Sequence, residues 1–260
     1  MTAPEIDLTA VLRSVPAWLT LHPALDAAAE AARFAAAGRI HIRNILTRDA
    51  ANRIHRSLAA EGAWARSTIF QGQPRDFALD YLETLPAQAA AERRADLEDR
   101  GRRGFQYEFD NFRLSMAMLA GARSGWVYES VFDLVNGPAF LGFVREVTGD
   151  DRIVFADAQA TRYRAGHFLT SHDDDQPDMD RLYAYVLNFT PVWRPEWGGL
   201  LAFIGEDGNI DQAFKPTFNA LNIFRVPTQH MVTEVASFAN ADRLSITGWL
   251  RSTADPVTAT

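Results

Sequence analysis

The sequence predicts an α+β fold in which N-terminal helices pack on a small antiparallel sandwich or barrel of the jelly-roll kind. Three observations predict it. Alanine-rich helical patterns occupy much of the chain before Gly149. After Gly149, short segments rich in Val, Ile, Leu, Phe, Tyr and Thr alternate with Gly, Pro, Asn and Asp, which is strand and turn chemistry. Finally, 260 residues, 47% apolar and 23% charged, suffice to bury a sizeable core.

Residues 24–37 (ALDAAAEAARFAAA) combine strong helix formers with Gly38 as a stop. Residues 39–46 set Ile40, Ile42 and Asn44 against His41, Arg43 and Ile45, the period of a half-buried strand. Thr47 then reads as the N-cap of a helix through Ala50, Ile54, Leu58 and Ala59, ending before Gly62. Residues 86–104 place Arg93, Arg94, Arg100, Arg102 and Arg103 among Glu92, Asp96, Glu98 and Asp99. This reads as a solvated helix, with a basic rim facing substrate as the alternative. Phe105, Tyr107 and Phe109 alternate with Gln106, Glu108 and Asp110, a strand with one aromatic face. Val127, Val131 and Leu134, then Phe140, Phe143 and Val147, repeat at helical spacing on either side of Gly137-Pro138. Strands are expected at 152–164, 167–172, 182–190, 199–204, 219–226, 231–236 and 243–251. No internal repeat or low-complexity segment is present.

Composition excludes several function classes. Twenty-six Lys and Arg against 33 Asp and Glu leave a net charge of −7, no field for a phosphate backbone or an anionic membrane, so no nucleic-acid partner is expected. With no cysteine, any metal must be held by His and carboxylate. Residues 1–12 lack a basic stretch followed by an apolar one, and the longest runs free of Asp, Glu, Lys and Arg, such as 182–193, are 12 residues long. No membrane contact and a cytoplasmic location are therefore expected.

Histidine carries the remaining chemistry. Of the six, His172 is set apart by Asp173, Asp174 and Asp175, which follow it after the strand-like Gly-His-Phe-Leu-Thr. On an extended chain, residues i and i+2 project to one side, so His172 and Asp174 can share an ion while Asp173 and Asp175 point away. Taken alone, His-x-Asp is common. His230, 58 residues later, supplies the second imidazole of a two-histidine, one-carboxylate triad, the ligand set of non-haem Fe(II) oxygenases. 2-Oxoglutarate chelates such an iron and needs a fixed cation for its far carboxylate. Arg243 is the candidate, and Ser245, on the same side of a strand, can add a hydrogen bond. Arg225 and Arg251 are rivals that fit surface or edge positions better. His167, five residues before His172, would face away from it on a continuous strand. Trp193, Trp197 and Trp249 read as packing residues, and Gly198-Gly199 as a turn or close backbone approach opening a strand.

The block from Ala160 to Asp175 (ATRYRAGHFLTSHDDD), with VLNFT at 186–190, WGG at 197–199, His230 and RLSITGW at 243–249, resembles the Fe(II)/2-oxoglutarate-dependent dioxygenases of the prolyl 4-hydroxylase class. Within that class it is most similar to the catalytic domain of the ribosomal-protein prolyl hydroxylases. The resemblance covers roughly residues 150–252 and implies a double-stranded β-helix with iron at one mouth of the barrel. It implies His172, Asp174 and His230 as metal ligands, Arg243 as the 2-oxoglutarate anchor and Tyr163 as a residue touching the cosubstrate. Fe(II), with 2-oxoglutarate and O2 as cosubstrates and ascorbate as reductant, follows. At Val186 the hypoxia-sensing members carry an aromatic residue. The chain then divides into a helix-rich supporting region with a few strands (1–149), a catalytic core (150–252) and a tail (253–260), expected to form one integrated domain. The expected reaction couples oxidative decarboxylation of 2-oxoglutarate to C–H hydroxylation of a prolyl residue in a protein or peptide. The alternatives are hydroxylation of a free amino acid or other small molecule, and a non-catalytic metal-binding jelly-roll module.

Overall fold

A computed structural model describes residues 8–176 and 179–254. Helices α1 (Leu8–Val11) and α2 (Ala27–Ala37) lead into β1 (Arg39–Arg43), α3 (Arg48–Ala60) and a hairpin of β2 (Ala65–Phe70) and β3 (Gln73–Ala78). Then come α4 (Leu79–Glu83), α5 (Ala87–Arg103), β4 (Tyr107–Phe112), α6 (Leu114–Leu119), α7 (Ser130–Val135) and α8 (Pro138–Thr148). The second half supplies β5 (Phe155–Ala156), β6 (Gln159–Tyr163), β7 (Phe168–His172), β8 (Arg181–Asn188) and β9 (Leu201–Ile204). It ends with β10 (Ile210–Phe214), β11 (Ala220–Arg225), β12 (His230–Val232) and β13 (Arg243–Arg251). Local chemistry sets the helix ends. Asp26 accepts the Ala29 amide before α2 and Gly38 closes it in a left-handed conformation, while Thr47 caps α3 as its sequence indicates.

The strands form one antiparallel sheet in the order β1-β11-β8-β13-β6-β4-β7-β12-β9-β10, with the β2–β3 hairpin attached through β4 and β5 through β13. It curls into a nearly closed, barrel-like sandwich, the double-stranded β-helix expected. The period-two alternation of β8 and β13 explains why both faces are buried. Tyr183, Tyr185, Leu187, Leu244, Ile246 and Leu250 join the main core, where Phe34, Phe132 and Phe140 pack from the helices. The intervening Ala184 and Val186 face the barrel interior with Leu201, Phe203 and Phe224. On β13 the same alternation turns Arg243, Ser245, Thr247 and Trp249 toward the interior cavity.

Several boundaries differ from the sequence reading. The single strand expected at 152–164 is split into β5 and β6, because Asp157 and Ala158 turn away to meet Trp249 and Ser115. The hairpin β2–β3 and the exposed strand β10 were not anticipated; both are polar and carry few buried side chains, so no apolar period marks them. Strands β1, β2, β3 and β4 from the first half complete the sheet. The segment 93–103 lies in α5 and does not line the cavity. Four Arg–carboxylate pairs run along that helix, as for a solvated face, and Arg93 reaches Glu108 on β4. Residues 1–7, and 255–260 of the expected tail, lie outside the described residues.

Candidate functional site

Strands β7 and β12 are direct neighbours, and His172 and His230 are cross-strand partners whose ring centroids lie 4.1 Å apart. The register slips by one residue between His230 and Val232, because Val232 pairs with Leu169. This bulge lets both Leu169 and His172 line the cavity, although strict alternation would put them on opposite faces. Asp174 reaches the pair by a route other than the extended one expected. Strand β7 ends at His172, and Asp174 sits in the left-handed region at φ 64°. Its carboxylate oxygens lie 3.4 Å from His172 Nε2 and 3.5 Å from His230 Nε2.

Each imidazole donates its other nitrogen to a carbonyl two residues earlier, His172 Nδ1 to Thr170 at 3.0 Å and His230 Nδ1 to Thr228 at 2.7 Å. A carbonyl only accepts, so the Nδ1 atoms carry the protons and the Nε2 lone pairs converge with the Asp174 carboxylate. One ligand atom from each of the three side chains falls within a 4.8 Å group that could hold a metal ion. Burial, with the neighbouring His172 second, lowers His230 to about 4, which favours the neutral, ligating form. Burial alone would raise Asp174, but its contacts with the His172 and His230 imidazoles outweigh it and keep the carboxyl below its usual range, and against the same burial the Asp174 carboxylate raises His172. Asp173 bonds to Gln229 and the Asp175 amide and joins neither imidazole, but with Asp175 it lies along the cavity, so the expected strict alternation does not extend past His172.

Arg243, at the start of β13, is 3% exposed, and its Nε has no hydrogen-bond partner. Among the described residues no carboxylate lies within salt-bridge distance; its guanidinium instead sits 5.0 Å over the ring of Tyr163, its partner on β6. Tyr163 stacks in turn on Phe109, and burial raises its hydroxyl pKa. Ser245 is fully buried and its hydroxyl is 2.8 Å from that of Thr161 on β6. A buried cation without an anion is costly. This arrangement fits an anionic ligand whose carboxylate would meet Arg243.

These groups line one cavity of about 440 Å³, closed on one side by Phe105, Tyr107 and Phe109 of the predicted aromatic face and on another by Trp249 and Arg181. Val186 and Ala184 contribute small side chains to its inner wall beside Leu201 and Phe224. The rivals separate clearly. Arg225 is exposed at the end of β11. Arg251, expected at the surface, is 2% exposed because it is bonded to the Met179 carbonyl and paired with Asp157. His167 is buried beside Asp110, away from the triad. Trp193 and Trp197 are core residues as expected, whereas Trp249 belongs to the cavity wall. Thr161, Arg181 and the aromatic wall were not read as site residues; the period-two alternation from Tyr163 back to Thr161 was the available signal for the first.

Residues 158–251 match the 2OG-Fe(II) oxygenase superfamily. No curated protein matches the chain in sequence. Among solved structures, the fold is similar to a prolyl-4-hydroxylase from Pseudomonas putida at 17% identity and a TM-score of 0.54, covering 86% of this chain and 98% of that one. It is similar to a prolyl hydroxylase from Trichoplax adhaerens, in complex with a hypoxia inducible factor oxygen degradation domain peptide fragment, at 12% identity and a TM-score of 0.58, covering 87% and 89%. A 2OG-Fe(II) oxygenase family oxidoreductase from Burkholderia pseudomallei is similar at 14% identity and a TM-score of 0.54, covering 90% and 96%. The family implies Fe(II), 2-oxoglutarate and O2, and the His-Asp-His cluster fits that donor set. The match to the 2OG-Fe(II) oxygenase superfamily over residues 158–251 thus falls on the second-half strands of a double-stranded β-helix.

Proposed function

We propose that the chain is an Fe(II)/2-oxoglutarate-dependent dioxygenase that hydroxylates a C–H bond of a prolyl residue in a protein or peptide. His172, Asp174 and His230 hold the iron, and Arg243 receives the distal carboxylate of 2-oxoglutarate. The observation that carries the reading is Arg243 itself: a structural metal gives no reason for a buried, anion-free guanidinium in the same cavity. When bound, the iron couples conversion of 2-oxoglutarate and O2 to succinate and CO2 with insertion of one oxygen atom into the substrate C–H bond.

The chain's own residues perform binding and exclusion. Arg243 offers parallel donors to a carboxylate, and Tyr163 supports its face and flanks the cosubstrate. Ser245 and Thr161 add hydroxyls to the same wall. Phe105, Tyr107 and Phe109 form an apolar side on which a pyrrolidine ring can rest while water is kept out. The peptide bound to the Trichoplax adhaerens relative supports a protein or peptide substrate. In this reading ascorbate keeps the iron reduced and the protein works in the cytoplasm without nucleic acid or membrane. No helix among the described residues is long and apolar enough to cross a membrane. Residues 1–149 support the catalytic core 150–252, with 253–260 as a tail.

The test is succinate release from 2-oxoglutarate with Fe(II) and ascorbate, measured with proline-containing peptides and with free proline, alongside mass spectrometry of the peptide. The reading predicts succinate formation coupled to gain of one oxygen atom on a peptidyl proline. Turnover with free proline alone would move the function to small-molecule hydroxylation.

A further inference from the structure

Asp174 adopts a left-handed backbone beyond the end of its strand, so its carboxylate direction is not fixed by sheet hydrogen bonding. One side chain reaches across to its main chain: Arg181 Nη1 donates to the Asp174 carbonyl at 3.2 Å. Arg181 opens β8 opposite the end of β13, where it pairs with Arg251 across a register shift, two residues from Trp249. Its guanidinium carbon lies 3.5 Å from the centroid of the Trp249 ring. Among the described residues it makes no salt bridge, and its Nε is buried without a partner. Stacking on the indole, rather than pairing with a carboxylate, therefore sets the plane of the guanidinium and aims Nη1 at the turn.

We infer that Arg181, held on Trp249, is a positioning residue that fixes the Asp174 turn so that its carboxylate faces His172 and His230. Partners one step removed from a metal orient its ligands and typically change affinity 10–100-fold when removed. The inference rests on the metal-site reading above and adds to it a link from the outer end of β13 to the single carboxylate of the triad.

The test is titration of the full chain, free of metal, with Co(II) alone, for the unmodified protein and for Asp174→Ala, Arg181→Met and Arg181→Lys. Affinity and the visible Co(II) spectrum are read, and the melting temperature without metal is recorded in parallel. Arg181→Met is expected to weaken Co(II) binding about tenfold or more and to alter the spectrum, with metal-free melting unchanged. Arg181→Lys recovers part of the affinity, because an ammonium can still donate to the Asp174 carbonyl but cannot stack as a plane. Unaltered Co(II) affinity and spectrum in Arg181→Met overturn the inference, as does an effect confined to the KM of the substrate. A loss of affinity that merely tracks lowered metal-free melting, with no recovery by lysine, also overturns it. Equal Co(II) binding by the unmodified protein and Asp174→Ala overturns the metal-site reading itself, and this inference with it.

Discussion

Arg243 and His167 show how one burial environment produces two different chemistries. Arg243 cannot lose its charge at accessible pH, so burial without an anion leaves a demand that a bound carboxylate satisfies. Arg243→Met should therefore weaken 2-oxoglutarate binding by about 2–3 kcal/mol, roughly 30–150-fold, in calorimetric titration of the metal-loaded protein, with Arg243→Lys in between. His167 can discharge, and burial followed by the charge of Arg66 lowers it to about 4. The folded state prefers neutral His167, so its contribution is complete above the ordinary value near 6.5 and is lost as the pH falls through about 4. Urea unfolding between pH 7 and 4 should show a pH-dependent loss of roughly 3 kcal/mol that His167→Asn removes. The triad, Arg243 and Ser245 were legible at this scale because identity and spacing limit what His, Asp and Arg can do together. Asp174 was legible as a residue but not as a conformation, since the left-handed turn has no glycine to announce it.

Among the elements, Gly198-Gly199 and the ion cluster on β4 bring the wall to the cavity. Gly198 lies at φ 67°, ψ −144°, and a Cβ there would come within 2.0 Å of the Glu234 carbonyl oxygen. A Cβ at Gly199, φ 60°, would meet Arg243 Cδ at 3.2 Å. Gly198→Ala should cost about 2 kcal/mol in denaturant unfolding, since the chain at Thr233 and Glu234 after β12 must shift. Asp110, fully buried on β4, accepts from Arg66 at 2.6 Å and Arg162 at 3.0 Å and lies 3.1 Å from Arg164, tying the β2–β3 hairpin to the barrel. Asp110→Ala should destabilise the fold by about 3 kcal/mol in the same assay, because it leaves the largely buried Arg162 guanidinium without its counter-ion and Arg66 with Glu108 alone. The close approach at the double glycine was readable from sequence. The hairpin was not, because its stability comes from ionic contacts with β4 that are distant in the chain, and neither was the β7 bulge, which inserts one residue without any change of composition.

At the scale of the whole molecule, the jelly-roll sheet and its helical layer were legible because β8 is apolar on both faces over most of its length and β13 on the face toward the helices, a pattern that a sheet covered on one side and closed on the other buries. What the pattern did not carry is how the first half enters the sheet: β1 adds to β11 and β4 inserts between β6 and β7, pairings fixed by contacts about fifty or more residues apart in all three cases and more than a hundred apart for β1 with β11. That insertion places Phe105, Tyr107 and Phe109 on the cavity, so residues from the first half form part of its wall. The account then depends on one ion and one anion being held by separate residues of one cavity. Anaerobic titration with Fe(II) and then 2-oxoglutarate tests this most directly, using the unmodified protein, Asp174→Ala and Arg243→Met. The prediction is one Fe(II) per chain, lost in Asp174→Ala and retained in Arg243→Met, with 2-oxoglutarate binding to the iron-loaded protein strongly weakened only by the arginine change. Iron binding that survives in Asp174→Ala, or 2-oxoglutarate affinity unchanged in Arg243→Met, would contradict it.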